Sequence, residues 1–191
     1  MRKVSALLVH AVMAGLFLVG NMNVLLAADP TVEELQKESE ARCTETAKDK
    51  PTPVIIMEKV DKACELLAKD GAAAFSKFKG KDSDFIFCGT YIWIQSGEGK
   101  MLMHPIKPKM DGMDLFSMKD PKGKFLFLEF DKVAKAKGSG WVDYQWPKPG
   151  QKEPSPKVSF VKLVKAGDKD MVVGCGVYDM TMEEIEKAKT K

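Results

Sequence analysis

The chain has 191 residues, 45% hydrophobic and 30% charged, with 30 Lys and Arg against 27 Asp and Glu and a formal net charge of +3. Those proportions fit one ordinary globular domain and exclude a disordered chain, a collagen-like repeat and an extended array. Charges of both signs mix along the chain, so no basic stripe for nucleic acid forms, and His10 and His104 with four cysteines leave most zinc sites and histidine-dependent triads without their parts.

Arg2 and Lys3 precede an apolar run, Val4 to Ala28, that ends on small residues. Residues 1–28 therefore read as a secretory signal peptide. An uncleaved membrane anchor is the alternative, since the run is nearly long enough to span a bilayer. Either reading exports the domain. Residues 29–80 read as N-terminal helices. Thr31 and Glu34 have capping-box spacing and open a helix with Val32, Leu35 and Cys43 along one stripe. Pro51 and Pro53 break it. Thr52 caps a second helix with Pro53 at its first position, Ile56, Val60, Ala63 and Leu67 on one face, and Gly71 as its stop. Ala72 to Phe78 reads as one more short helix.

Residues 81–191 carry the sheet, its loops and a C-terminal helix. Phe85 to Ile94 reads as one strand rich in β-branched and aromatic residues. Ser96 to Gly99 turns it back into Lys100–His104, and a loop runs from Pro105 to Asp114. Asp120 to Gly123 makes a tight turn before a helix bearing Leu126, Phe130 and Val133, stopped by Gly138. Strands follow at Gly140–Trp146, Lys157–Val164 and Met171–Tyr178, and Thr181 with Glu184 caps a last helix. The predicted fold class is α+β and PAS-like: a five-stranded antiparallel sheet with helices on one face and loops plus a short helix on the other.

In an oxidising compartment four cysteines suggest two disulfides. The economical pairing is Cys43 with Cys64, both in the helical part, and Cys88 with Cys175, both in strands. Buried free thiols are the alternative.

The segments Tyr91–Ile94, Gly99–Pro105, Asp120–Lys124, Gly140–Pro147, Lys157–Val161 and Val172–Tyr178, with Gly112 between them, together resemble bacterial extracellular Cache domains of the single-unit type, from about Thr52 to Tyr178. The resemblance implies a PAS-like sensor of small extracellular molecules, often short carboxylates. Such domains usually sit between two transmembrane helices of a chemoreceptor or histidine kinase. No second membrane segment is visible here, so the sequence looks like a free-standing periplasmic form without its own transduction module.

A pocket on the loop-covered face needs a few convergent polar groups in an apolar hollow large enough for a metabolite. Tyr91 and Trp93 share one face of their strand. Trp141, Asp143 and Gln145 share one face of theirs, and Val142, Tyr144 and Trp146 the other; spacing alone leaves open which set looks inward. The resemblance favours the Tyr144 hydroxyl, with Trp141 closing the pocket edge. His104 either donates to a carboxylate or caps its strand end. Lys157 either supplies the charge that an anion needs or is one more solvated lysine. Tyr178 is a contact or a core aromatic. The candidate ligand-binding residues are thus Tyr91, Trp93, His104, Trp141, Tyr144, Lys157 and Tyr178. Met101, Met103, Met110, Met113 and Met118 read as packing around the loop rather than a soft-metal site, and no metal or cofactor is expected. Without a GxSxG motif or a phosphate loop, and with Asp111 and Asp114 read as solvated turn residues, catalysis is not expected. The expected partners are a small organic acid and a membrane-bound signalling or transport protein. An accessory subunit docked on a kinase, chemoreceptor or transporter is the alternative function.

Overall fold

The computed structural model describes residues 30–189. The expected signal peptide at residues 1–28 lies outside them. Helix α1 spans Val32–Thr46, opened by a complete capping box in which the Glu34 amide donates to Thr31 Oγ1 at 3.2 Å and the Thr31 amide donates to Glu34 Oε2 at 2.7 Å. Helix α2 spans Pro53–Asp70, with Thr52 as its cap and Ile56, Val60, Ala63 and Leu67 fully buried. Its apolar face is the 3.6-residue stripe expected from the sequence, and it continues into the expected short helix, a 3₁₀ segment over Gly71–Phe78.

The predicted strand from Phe85 to Ile94 is instead a hairpin: β1 is Ile86–Phe87 and β2 is Thr90–Ser96. Cys88 and Gly89 between them have φ of 46° and 70°. Two successive left-handed residues make the tight turn whose twist matches paired strands, and the Gly89 amide is held by Thr46 Oγ1 at the end of α1. The remaining elements are β3 (Met101–Met103), α3 (Leu126–Lys137), β4 (Ser139–Pro147), β5 (Pro154–Ala166), β6 (Lys169–Tyr178) and α4 (Met182–Lys189). The split raises the expected five strands to six, ordered β1-β2-β6-β5-β4, with β3 also on β2 and every pairing antiparallel. Within the described residues, no helix is long and apolar enough to cross a membrane.

Two apolar layers sandwich this sheet. One joins α2 and α4 to Ile92, Ile94, Phe160, Val173 and Cys175. The other joins α3 and Cys43 of α1 to Tyr91, Trp93, Val142 and Tyr144. This division separates Cys43 from Cys64 and so excludes that expected pairing. Cys43, Cys64, Cys88 and Cys175 are all free thiols. Cys43 and Cys64 lie in opposite layers with the sheet between them. Cys88 sits at the hairpin turn, and the Cys175 thiol is engaged by Thr90 Oγ1 at 3.9 Å. Burial pushes the Cys43, Cys64 and Cys175 thiols up to about 12, so they stay protonated at neutral pH.

Candidate functional site

On the α3 side of the sheet, β6 offers bare backbone where its neighbours bring large side chains. Trp93 lies against Gly174, where an added Cβ would stand 2.1 Å from its ring, and Lys157 Cε and Ser159 Oγ lie over Gly176, 2.6 and 2.2 Å from where a Cβ would be. Register puts Trp93 beside Gly174, Ser159 beside Gly176, and Lys157 between Tyr144 and Tyr178. Glycine inside a strand commonly marks such a close approach. The trough is roofed by Leu126, Phe127 and Phe130 of α3, and the two phenylalanine rings meet Trp93, Tyr144 and Trp146 at centroid separations of 4.9 to 5.8 Å.

Inside lies a small cavity lined by Tyr91, Trp93, His104, Tyr144, Trp146 and the α3 residues. Its volume is about 10 Å³, room for about one water molecule. The hollow large enough for a metabolite that the sequence suggests is therefore closed by aromatic rings in this conformation.

Polar groups converge at one end of the trough. Lys157 is 1% exposed, so it is not a solvated lysine. Its Nζ donates to Tyr178 Oη at 3.1 Å and lies 4.4 and 4.3 Å from the ring centres of Tyr91 and Tyr178. Tyr178 Oη in turn donates to the carbonyl of Pro147 at 3.0 Å. Among the described residues no carboxylate pairs with Lys157. Burial brings its ammonium down to about 7, with Lys107 adding a smaller push in the same direction.

His104 is equally enclosed. Its backbone amide donates to Asp111 Oδ1 at 2.8 Å, and its Nδ1 accepts from the Lys107 amide at 3.0 Å. Asp111 also pairs with Lys79 at 3.1 Å, which ties the loop between β3 and α3 to the segment after α2. Asp111 is thus a structural clip rather than a solvated turn residue. Burial, then Lys157 and Lys107, holds the imidazole well below its ordinary value. A neutral ring that accepts at Nδ1 carries its proton on Nε2. His104 lines the cavity and, among the described residues, Nε2 has no hydrogen-bond partner.

The structure gathers Tyr91, Trp93, His104, Tyr144, Lys157 and Tyr178 on one face of the sheet. Tyr91 Oη accepts from Trp146 Nε1 at 3.2 Å, and the Tyr144 hydroxyl is 2.9 Å from Ser159 Oγ. Trp141 is not with them. It packs on Phe160 in the α2 layer, at 5.3 Å between rings, because the period of two that turns Tyr144 inward turns residue 141 outward. Trp146, Lys107, Gly174 and Gly176 belong to the site and were not among the candidates. Trp146 shares the face of Tyr144, and two strand glycines two residues apart were visible in the sequence. Lys107, whose Nζ lies 4.5 Å from the Trp146 ring centre, carried no such signal. The methionines divide, with Met103 in the α2 layer, Met101 and Met110 in the other, and Met113 45% exposed.

Comparison with known proteins fits this geometry. Residues 81–191 match the Cache domain family. An 88-residue segment is 42% identical to the methyl-accepting chemotaxis protein McpP of Pseudomonas putida and covers 46% of this chain and 16% of that protein. A segment of the same length is 33% identical to the sensor histidine kinase MctS of Rhizobium johnstonii, over 46% of this chain and 18% of that one. The chain thus spans less than a fifth of the length of these relatives. A solved Cache chemosensory domain, described for its carboxylic acid recognition, is 30% identical over 79% of this chain and all of that one, with a TM-score of 0.50.

Proposed function

Because this chain belongs to the Cache domain family, we propose that it is a periplasmic ligand-binding sensor domain whose ligand is a small carboxylate held between Lys157 and His104. The observation that carries this reading is the Lys157 ammonium, buried with a tyrosine hydroxyl and two aromatic faces but no anion. A cation removed from water needs a compensating negative group. The unpaired Nε2–H of His104 supplies a second donor, and Tyr91, Trp93 and Trp146 supply apolar walls. A buried lysine and an imidazole N–H at one end of the trough suit a carboxylate, which accepts from both. Carboxylic acid recognition by a relative at 30% identity supports the same ligand class.

The ligand is small, because aromatic rings have to move aside to admit it. A chemoreceptor or kinase is the partner we infer for transmission, in keeping with the two signalling proteins that resemble this chain over 88 residues. A thermal-shift screen of short carboxylates, amino acids and amines tests the reading. A true ligand raises the melting point in a concentration-dependent way. The expected result is a rise with short monocarboxylates and none with amines. Lys157→Ala should weaken carboxylate binding at least tenfold, about 1.4 kcal/mol. A flat response across the panel overturns the carboxylate reading in favour of an interaction subunit.

A further inference from the structure

We infer that this site, if it binds carboxylates as proposed, takes each one up together with a proton, so that it reports acidity as well as acid concentration. Geometry is the ground for it. The Lys157 stem lies over Gly176, its Nζ is flanked by the Tyr91 and Tyr178 rings, and the residue is 1% exposed. The groups facing it from each packed element are neutral or cationic. They are Tyr91 from β2, His104 and Lys107 from the loop after β3, Tyr144 from β4, Tyr178 from β6 and Cys43 from α1, with the protonated Cys175 thiol on the far side of β6. The nearest acid on that loop, Asp111, is occupied by Lys79 and the His104 amide.

An enclosure of this kind favours the neutral amine, and Lys157 loses its proton near pH 7 when no anion is present. An entering carboxylate restores the ammonium by direct attraction. The exchange balances: one monoanion enters, one proton from solvent joins Nζ, and the buried charge does not change. His104 stays neutral throughout, because an Nε2–H donor already serves the second carboxylate oxygen.

Calorimetry with acetate as the probe tests this on the full chain, because acetate stays ionised above pH 6 and contributes no titration of its own. Titrations at one pH in buffers of different ionisation enthalpy count the protons taken up. The account expects about half a proton at pH 7 and nearly one at pH 8.5, with affinity falling about 20-fold from pH 6.5 to 8.5. His104→Gln should retain the uptake even where affinity drops. Binding with buffer-independent heat and a flat pH profile overturns the inference and leaves the ligand assignment standing. Uptake that vanishes in His104→Gln assigns the proton elsewhere and overturns it too. No acetate binding at any pH removes both.

Discussion

Burial makes a charge on Lys157 costly to hold. The sign of the pH dependence follows from a folded-state value lowered to about 7. The unfolded chain binds a proton that the folded chain releases, so stability rises as pH increases from 7 toward 10. His104, also held low, acts in the same direction at more acidic pH, where its protonation favours the unfolded chain. Lys157→Met keeps the stem and removes the charge, and Tyr178 Oη retains the Pro147 carbonyl as its acceptor. The variant should melt higher than the parent at pH 6 to 7, with the difference shrinking by pH 10, as read by paired thermal melts across that range. A difference that does not vary with pH would show that the lysine is not charged at a cost. The residue was legible as a candidate, but its burial was not. An alternating strand pattern assigns Lys157 to a face, and only the pairing with Tyr144 and Tyr178 shows that this face is covered.

Among the elements, capping and periodicity were the most readable. The boxes at Thr31 and Thr181, the proline start of α2 and the stripe on its buried face all act within one or two helical turns. The 85–94 segment was misread because its composition favours a strand throughout, while a Cys-Gly pair in left-handed geometry outweighs that preference. Cys88→Asn installs the Asn-Gly pair that such turns prefer and should stabilise the domain by up to about 1 kcal/mol, measured by denaturant melts. Gly176→Ala should act in the opposite direction. Its Cβ would stand 2.9 Å from the Val158 carbonyl and closer still to Ser159 Oγ and Lys157 Cε. Backbone cannot yield as a side chain does, so a loss of about 1–3 kcal/mol is expected, with carboxylate affinity reduced because the lysine is displaced. An alanine variant of parental stability would show that the trough is looser than described. The expected pairing of Cys43 with Cys64 failed at this scale as well. Sequence proximity within the helical part says nothing of which side of a sheet each thiol occupies.

At the scale of the whole molecule, the order of helices, hairpin, helix and three-strand meander was enough for the architecture, because antiparallel neighbours joined by short turns leave few alternative topologies. The interior was not legible in the same way. Whether opposed aromatic residues enclose a hollow or fill it depends on side-chain packing across α3 and β4, which no periodicity encodes. Here they leave about 10 Å³, so the binding proposed above requires rings such as Trp146 and Phe127 to swing aside. The most direct measurement is a crystal structure of the protein grown with acetate. The account predicts a carboxylate within about 3 Å of both Lys157 Nζ and His104 Nε2, with the aromatic rings between β2 and α3 displaced to make room. Rings packed as they are here, with acetate absent from that face of the sheet or bound elsewhere at saturating concentration, would contradict it.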